Sequence, residues 1–206
     1  SIPIPTARGT GAVGRGVTDG DGVAVEVPGY HLRGGLEQRE GGPSLHRAEA
    51  IGQPGRLMVV EYHPGRPEPE AVGRIELAAA ALRELGHPNV LPVLDVIGTG
   101  AGLAIVLPFC PGGSLDRVLE RAPGGLPPTM VAEVGTALAD GLAAIHALGL
   151  VHGAISARSV CFDAQGRPLL AGTATALHAD GAPSDGPRPA AAGTRPRTAG
   201  DPGEDV

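Results

Sequence analysis

The chain has 206 residues, a formal net charge of −6, 34 Gly, 21 Pro and 2% aromatic residues. That length suits one ordinary domain or a two-lobed one with short lobes, its core left to Ala, Val, Leu and Ile. The acidic balance gives no electrostatic reason to expect nucleic acid or anionic lipid, and no apolar run approaches the roughly 18–20 residues of a membrane span.

Residues 1–27 are Gly-rich and aperiodic until Val23, and read as a flexible linker; the alternation Val23, Val25, Val27 is a weak signal for an added strand. Tyr30–Arg33 and Ser44–Ala48 read as strands flanking a loop in which Glu37, Arg39 and Glu40 crowd the turn. Residues 55–62 form a third strand signal, with Glu61 near its end. Ile75, Ala78, Leu82 and Leu85 then recur at helical spacing, with Gly86 as the stop and His87-Pro88-Asn89 as the exit. Two apolar stretches, 90–96 and 103–107, read as a strand pair around a Gly-rich turn, and Ser114 reads as the N-cap of a helix over 115–121. In 130–148, Val131, Val134, Leu138, Leu142 and Ile145 predict a buried helix face that ends at Gly149, where a left-handed conformation meets no Cβ. After a loop at His152, residues 160–162 and 168–171 flank Asp163-Ala164-Gln165-Gly166, a hairpin signal. Residues 175–206 are Gly-, Pro- and Ala-rich; Thr194 and Thr198 there are candidate phosphorylation sites, with a plain disordered stretch the favoured reading. Cys110 and Cys161 lack metal-ligand spacing and read as small apolar residues, in keeping with a reducing cytosol.

In this order and at these spacings, the pieces from Tyr30 to Ala174 resemble the protein-kinase family. Val151-His152-Gly153-Ala154-Ile155-Ser156-Ala157-Arg158-Ser159 falls where that family has V-H-R-D-x-K-x-x-N, and Gly172-Thr173-Ala174 falls where it has D-F-G. His87-Pro88-Asn89 and Gly112-Gly113-Ser114-Leu115 match its H-P-N turn and the segment after its hinge. The resemblance implies an α+β, protein-kinase-like fold: a small antiparallel β-lobe with one helix, then the start of a helical lobe that is truncated here. The implied divisions are a linker (1–27), an amino-terminal lobe and hinge (28–110), the beginning of the carboxy-terminal lobe (111–174) and a degenerate activation segment (175–206).

The resemblance also implies where the chemistry would sit. The strand Lys position holds Glu61, and the helix Glu position holds Ala78, or Glu76 if the register slips by two. The base Asp is Ala154, and the two magnesium ligands are Ser159 and Gly172. The loop between the first two strands, residues 34–43, holds no G-x-G-x-x-G, and every Lys or Arg position of the chain is Arg, which does not replace a catalytic Lys geometrically. His152 takes the family's structural role. The backbone of Pro108 and Cys110 is the hinge candidate for reading a flat ligand. The resulting expectation is a pseudokinase: not an enzyme, without ATP or magnesium as cofactor and without a metal site. It would serve as a protein-binding or scaffolding module in bacterial signalling. Its partner is expected to be a protein and not nucleic acid, its location cytoplasmic, and any tether to the inner membrane face supplied by regions outside this chain. Two alternatives stand beside it: a divergent serine/threonine kinase that binds ATP with relocated residues, and a non-functional fragment of a larger kinase-like receptor.

Overall fold

The computed structural model describes residues 17–18, 24–37, 43–65 and 68–172. Two short strands, β1 (Val17–Thr18) and β2 (Ala24–Val25), pair with each other. A five-stranded antiparallel sheet follows, in the order β3-β4-β5-β7-β6. Its strands are β3 (Tyr30–Glu37), β4 (Ser44–Ala50), β5 (Leu57–Pro64), β6 (Asp95–Gly98) and β7 (Gly102–Pro108). Helix α1 (Pro69–Leu85) connects β5 to β6 and ends at Gly86, whose φ of 56° puts the chain in the left-handed region.

The two sheet faces are used differently. One carries Met58, Val60, Tyr62, Ala104 and Val106, all buried, and is covered by Val25 and Val27. Thus Val25 and Val27, within the stretch expected to be linker, pack into this core. The other face puts Leu103, Ile105 and Leu107 against Ala78, Ala79 and Leu82 of α1. Gly102 at the start of β7 permits its close pairing with β5, since a Cβ there would lie 2.3 Å from the His63 carbonyl oxygen. Strand β6 begins at Asp95, later than the apolar run suggested; residues 91–94 belong to no strand, and Pro92 has no N–H to give a ladder.

The second half holds β8 (Gly113–Ser114), α2 (Leu115–Glu120), α3 (Pro128–Ala147), a 3₁₀ turn (Ala157–Ser159) and the hairpin β9 (Val160–Phe162) with β10 (Pro168–Leu170). Ser114 has extended N-cap backbone angles for α2 but makes no side-chain cap bond. The end of α3 is a Schellman motif: the Gly149 N–H donates to His146 O (2.9 Å) and the Leu150 N–H to Ile145 O (3.3 Å). The buried face of α3 is Val134, Ala137, Gly141 and Ile145, with Leu138 and Leu142 half-buried. Val131, expected on that face, is 55% exposed, because the helix packs through its later turns against β10 and the H-P-N turn. That turn joins the two halves. The Leu91 N–H donates to Leu170 O and the Leu170 N–H to Asn89 O, both at 2.8 Å, and Asn89 Nδ2 donates to Pro168 O at 3.0 Å. No described helix is long and apolar enough to cross a membrane.

Candidate functional site

An open cleft of about 330 Å³ lies between the sheet and the second half of the chain. Leu36, Leu45 and Val59 form its sheet side, Leu91 and Leu107 its back, and Cys161 and Ala171 its floor. The segment 108–111 runs along one side, so Pro108 and Cys110 both line it. Arg47 lies over the Phe109 ring, 5.9 Å from its centroid, and fixes the outer wall. A slot of this size and lining can take one flat, largely apolar ligand edge-on to the hinge backbone.

A charged clasp spans the mouth. Arg158 of the 3₁₀ turn approaches Glu37 at the end of β3 and Asp116 of α2, each at 3.4 Å. Glu37, which in the sequence crowds the turn between the first two strands, is thus ion-paired to the far side of the cleft. Arg39 and Glu40 lie outside the described residues.

The remaining positions are scattered in what they do. Glu61 shares a strand face with Val59 and hydrogen-bonds through Oε1 to His63 Nε2 at 3.0 Å. Ala78 is buried in the core beneath the sheet, and Glu76 is solvent-exposed, so neither register places a carboxylate opposite Glu61. Ala154 is exposed on the loop. Ser159 is buried; its hydroxyl accepts from the Ser156 N–H (2.8 Å) and donates to the Ser156 carbonyl (2.9 Å), closing the turn on itself. Gly172 has a φ of 78° and offers no side chain. Magnesium therefore does not fit the positions where the family would hold it. Ser159 is committed inward, Gly172 has no ligand atom, and no cluster of three or more His, Cys, Asp or Glu side chains suited to a metal occurs among the described residues.

His152 is 1% exposed. Its Nε2 lies 2.9 Å from Ala171 O and its Nδ1 accepts from the Ala154 N–H at 3.3 Å, so the ring braces the loop to the strand end. Burial pushes its imidazole below the ordinary value of 6.5.

One contact has no signal in the sequence. The Cys110 and Cys161 thiols, 51 residues apart in the chain, face each other with Sγ atoms 2.8 Å apart, both free. The hydrogen bond between the two thiols lowers the Cys110 pKa, and the same bond, reinforced by burial, raises that of Cys161.

With this geometry in view, the sequence profile of protein tyrosine and serine/threonine kinases matches residues 64–171. The chain belongs to the protein-kinase family. It is similar to the serine/threonine-protein kinase PkaB of Streptomyces coelicolor, at 38% identity over 111 residues, 54% of this chain and 26% of the relative. The serine/threonine-protein kinase PkaA of the same organism is 36% identical over 107 residues, 51% of this chain and 20% of the relative. CBL-interacting protein kinase 22 of Oryza sativa is 33% identical over 113 residues, 51% of this chain and 25% of the relative. The chain thus spans about a quarter of the length of the curated relatives it matches. The expectation that the chain is not an enzyme is overturned by these matches, because both the family and its relatives are protein kinases. That expectation weighed a few motif side chains one by one, whereas the match to the family runs continuously over residues 64–171.

Proposed function

We propose that this chain is a serine/threonine-kinase-family signalling domain that uses the kinase frame as a protein-binding scaffold. The observation that carries this reading is a whole frame whose phosphate and metal positions are otherwise engaged. Glu61 pairs with His63, Ser159 with Ser156, and Ala78, Ala154 and Gly172 bear no polar side chain. Exposed Val131, Val151 and Ile155, on α3 and the loop that follows, add apolar surface suited to a protein partner.

Thermal unfolding of the 206-residue chain with and without ATP and magnesium tests the reading. The expected result is no magnesium-dependent rise in Tm. A ligand at about 100 times its Kd stabilises by about 2.7 kcal/mol, which at this size lifts Tm by roughly 5–10 °C. A rise of that size, accompanied by phosphate transfer to a serine/threonine peptide, would make phosphotransfer the working activity. The named activity of the relatives favours that second reading, phosphotransfer by relocated groups. Under it, Glu37, Asp116 and Arg158 are the charged side chains to substitute first.

A further inference from the structure

We infer that Cys110 and Cys161 form a redox-active dithiol that closes to a disulfide across the wall and floor of the cleft. The two sulfurs lie 2.8 Å apart as free thiols, and a disulfide needs about 2.05 Å, so closure asks for a movement of under an ångström. The backbone already holds the two segments together. The Gly112 N–H donates to Phe162 O at 3.0 Å, and Ser114 stands opposite Cys161 in the β8–β9 ladder. Gly112 permits this approach, since a Cβ there would sit 2.6 Å from the Phe162 Cβ.

The two thiols are not equivalent. Cys110 lies on the open side of the cleft and is half-buried, whereas Cys161 is 8% exposed on the floor. Its greater exposure makes Cys110 the attacking sulfur and the buried Cys161 the resolving one, in keeping with the lowered pKa of Cys110. With a low-molecular-weight disulfide as oxidant, the Cys110 thiolate attacks one of its sulfurs, forms a mixed disulfide and expels one thiolate. Cys161 then loses its proton to solvent and attacks the Cys110 sulfur, expelling the second small thiol. The protein pair loses two electrons and two protons, and the small disulfide becomes two thiols. A pair of this kind in a reducing compartment is a transient sensor and not a structural staple. Because both sulfurs line the ligand slot, closing and opening the bond reshapes that slot.

The test is treatment of the whole chain with oxidised glutathione, followed by intact mass and peptide mapping without reductant. The expected product is monomeric, lighter by two hydrogens, with the Cys110 and Cys161 peptides linked and no retained glutathione. In Cys161→Ser the reaction should stop at a stable glutathione adduct on Cys110, and in Cys110→Ser the adduct yield should fall at least about tenfold, since Cys161 is buried with a raised pKa. Stable glutathionylation of Cys110 in the unsubstituted chain, disulfide-linked dimers, or no reaction would each overturn the inference. Those readouts on the unsubstituted chain decide it even if a variant folds poorly.

Discussion

At the scale of single residues, the cleft is governed by groups that satisfy one another instead of waiting for a ligand. Arg158 is the clearest case: one guanidinium ties the end of β3 to α2 across the cleft mouth. The Arg158 side chain is 54% exposed, so the pairs should contribute under about 1 kcal/mol to stability. Their effect is on opening. Arg158→Ala should leave Tm within about 3 °C of the parent while amide hydrogen exchange rises in residues 34–37 and stays unchanged in β5. Equal exchange in β3 for both proteins would show that the clasp does not hold the mouth. His152 makes a complementary prediction with a pH sign. Its folded pKa is depressed, so its neutral form contributes stability that is fully present above about 6.5 and is lost as pH falls below that value toward the folded pKa. Chemical denaturation between pH 7.5 and 5 should therefore show a steeper loss of stability in the parent than in His152→Gln, which cannot charge. Parallel curves would remove His152 as the cause.

At the scale of elements, the boundaries were legible in the sequence wherever backbone conformation alone decides them. Gly86 and Gly149 stop their helices as left-handed residues, and Asp163–Gly166 turns the β9–β10 hairpin, because these signals are local. What helix periodicity could not show is which part of a face meets a partner. Val131 continues the apolar stripe yet is exposed, while Gly141, which carries no hydrophobic signal, is buried at a close contact. A Cβ at Gly141 would lie 3.1 Å from Asn89 O and 3.3 Å from Val90 Cγ2 of the H-P-N turn. Gly135 sits on the same helix, exposed, with nothing near its would-be Cβ. The two positions separate propensity from packing. Gly135→Ala should stabilise by about 0.5–1 kcal/mol through helix propensity alone. Gly141→Ala gains the same propensity but must push the turn that binds β10, at a cost of roughly 1–3 kcal/mol, so its net effect should be destabilising. Urea midpoints that rise equally for both would show that the α3–turn contact is loose enough to adapt.

At the scale of the whole molecule, the sequence discloses the kinase frame because H-P-N, the loop around His152 and the final hairpin are short patterns in a fixed order. It conceals every pairing that joins distant segments: Cys110 with Cys161, Glu37 with Arg158, and residues 24–27 with the sheet. The last of these matters most for stability. Three alternating valines among glycines are a weak strand signal, yet Val25 and Val27 are 0% and 1% exposed and close a sheet face that carries Met58, Val60, Ala104 and Val106. Each buried valine truncated to alanine forfeits about 1.5–3 kcal/mol from lost transfer energy and the cavity left behind. Against a total stability of about 5–15 kcal/mol, Val25→Ala/Val27→Ala should lower the denaturation free energy by at least about 3 kcal/mol. A mere tether would lose almost nothing on the same change. The measurement is urea unfolding of the double variant beside the parent at equal m-value. A loss below about 1 kcal/mol would return residues 24–27 to the role of a linker and leave the outer face of the sheet to be stabilised by its own strands.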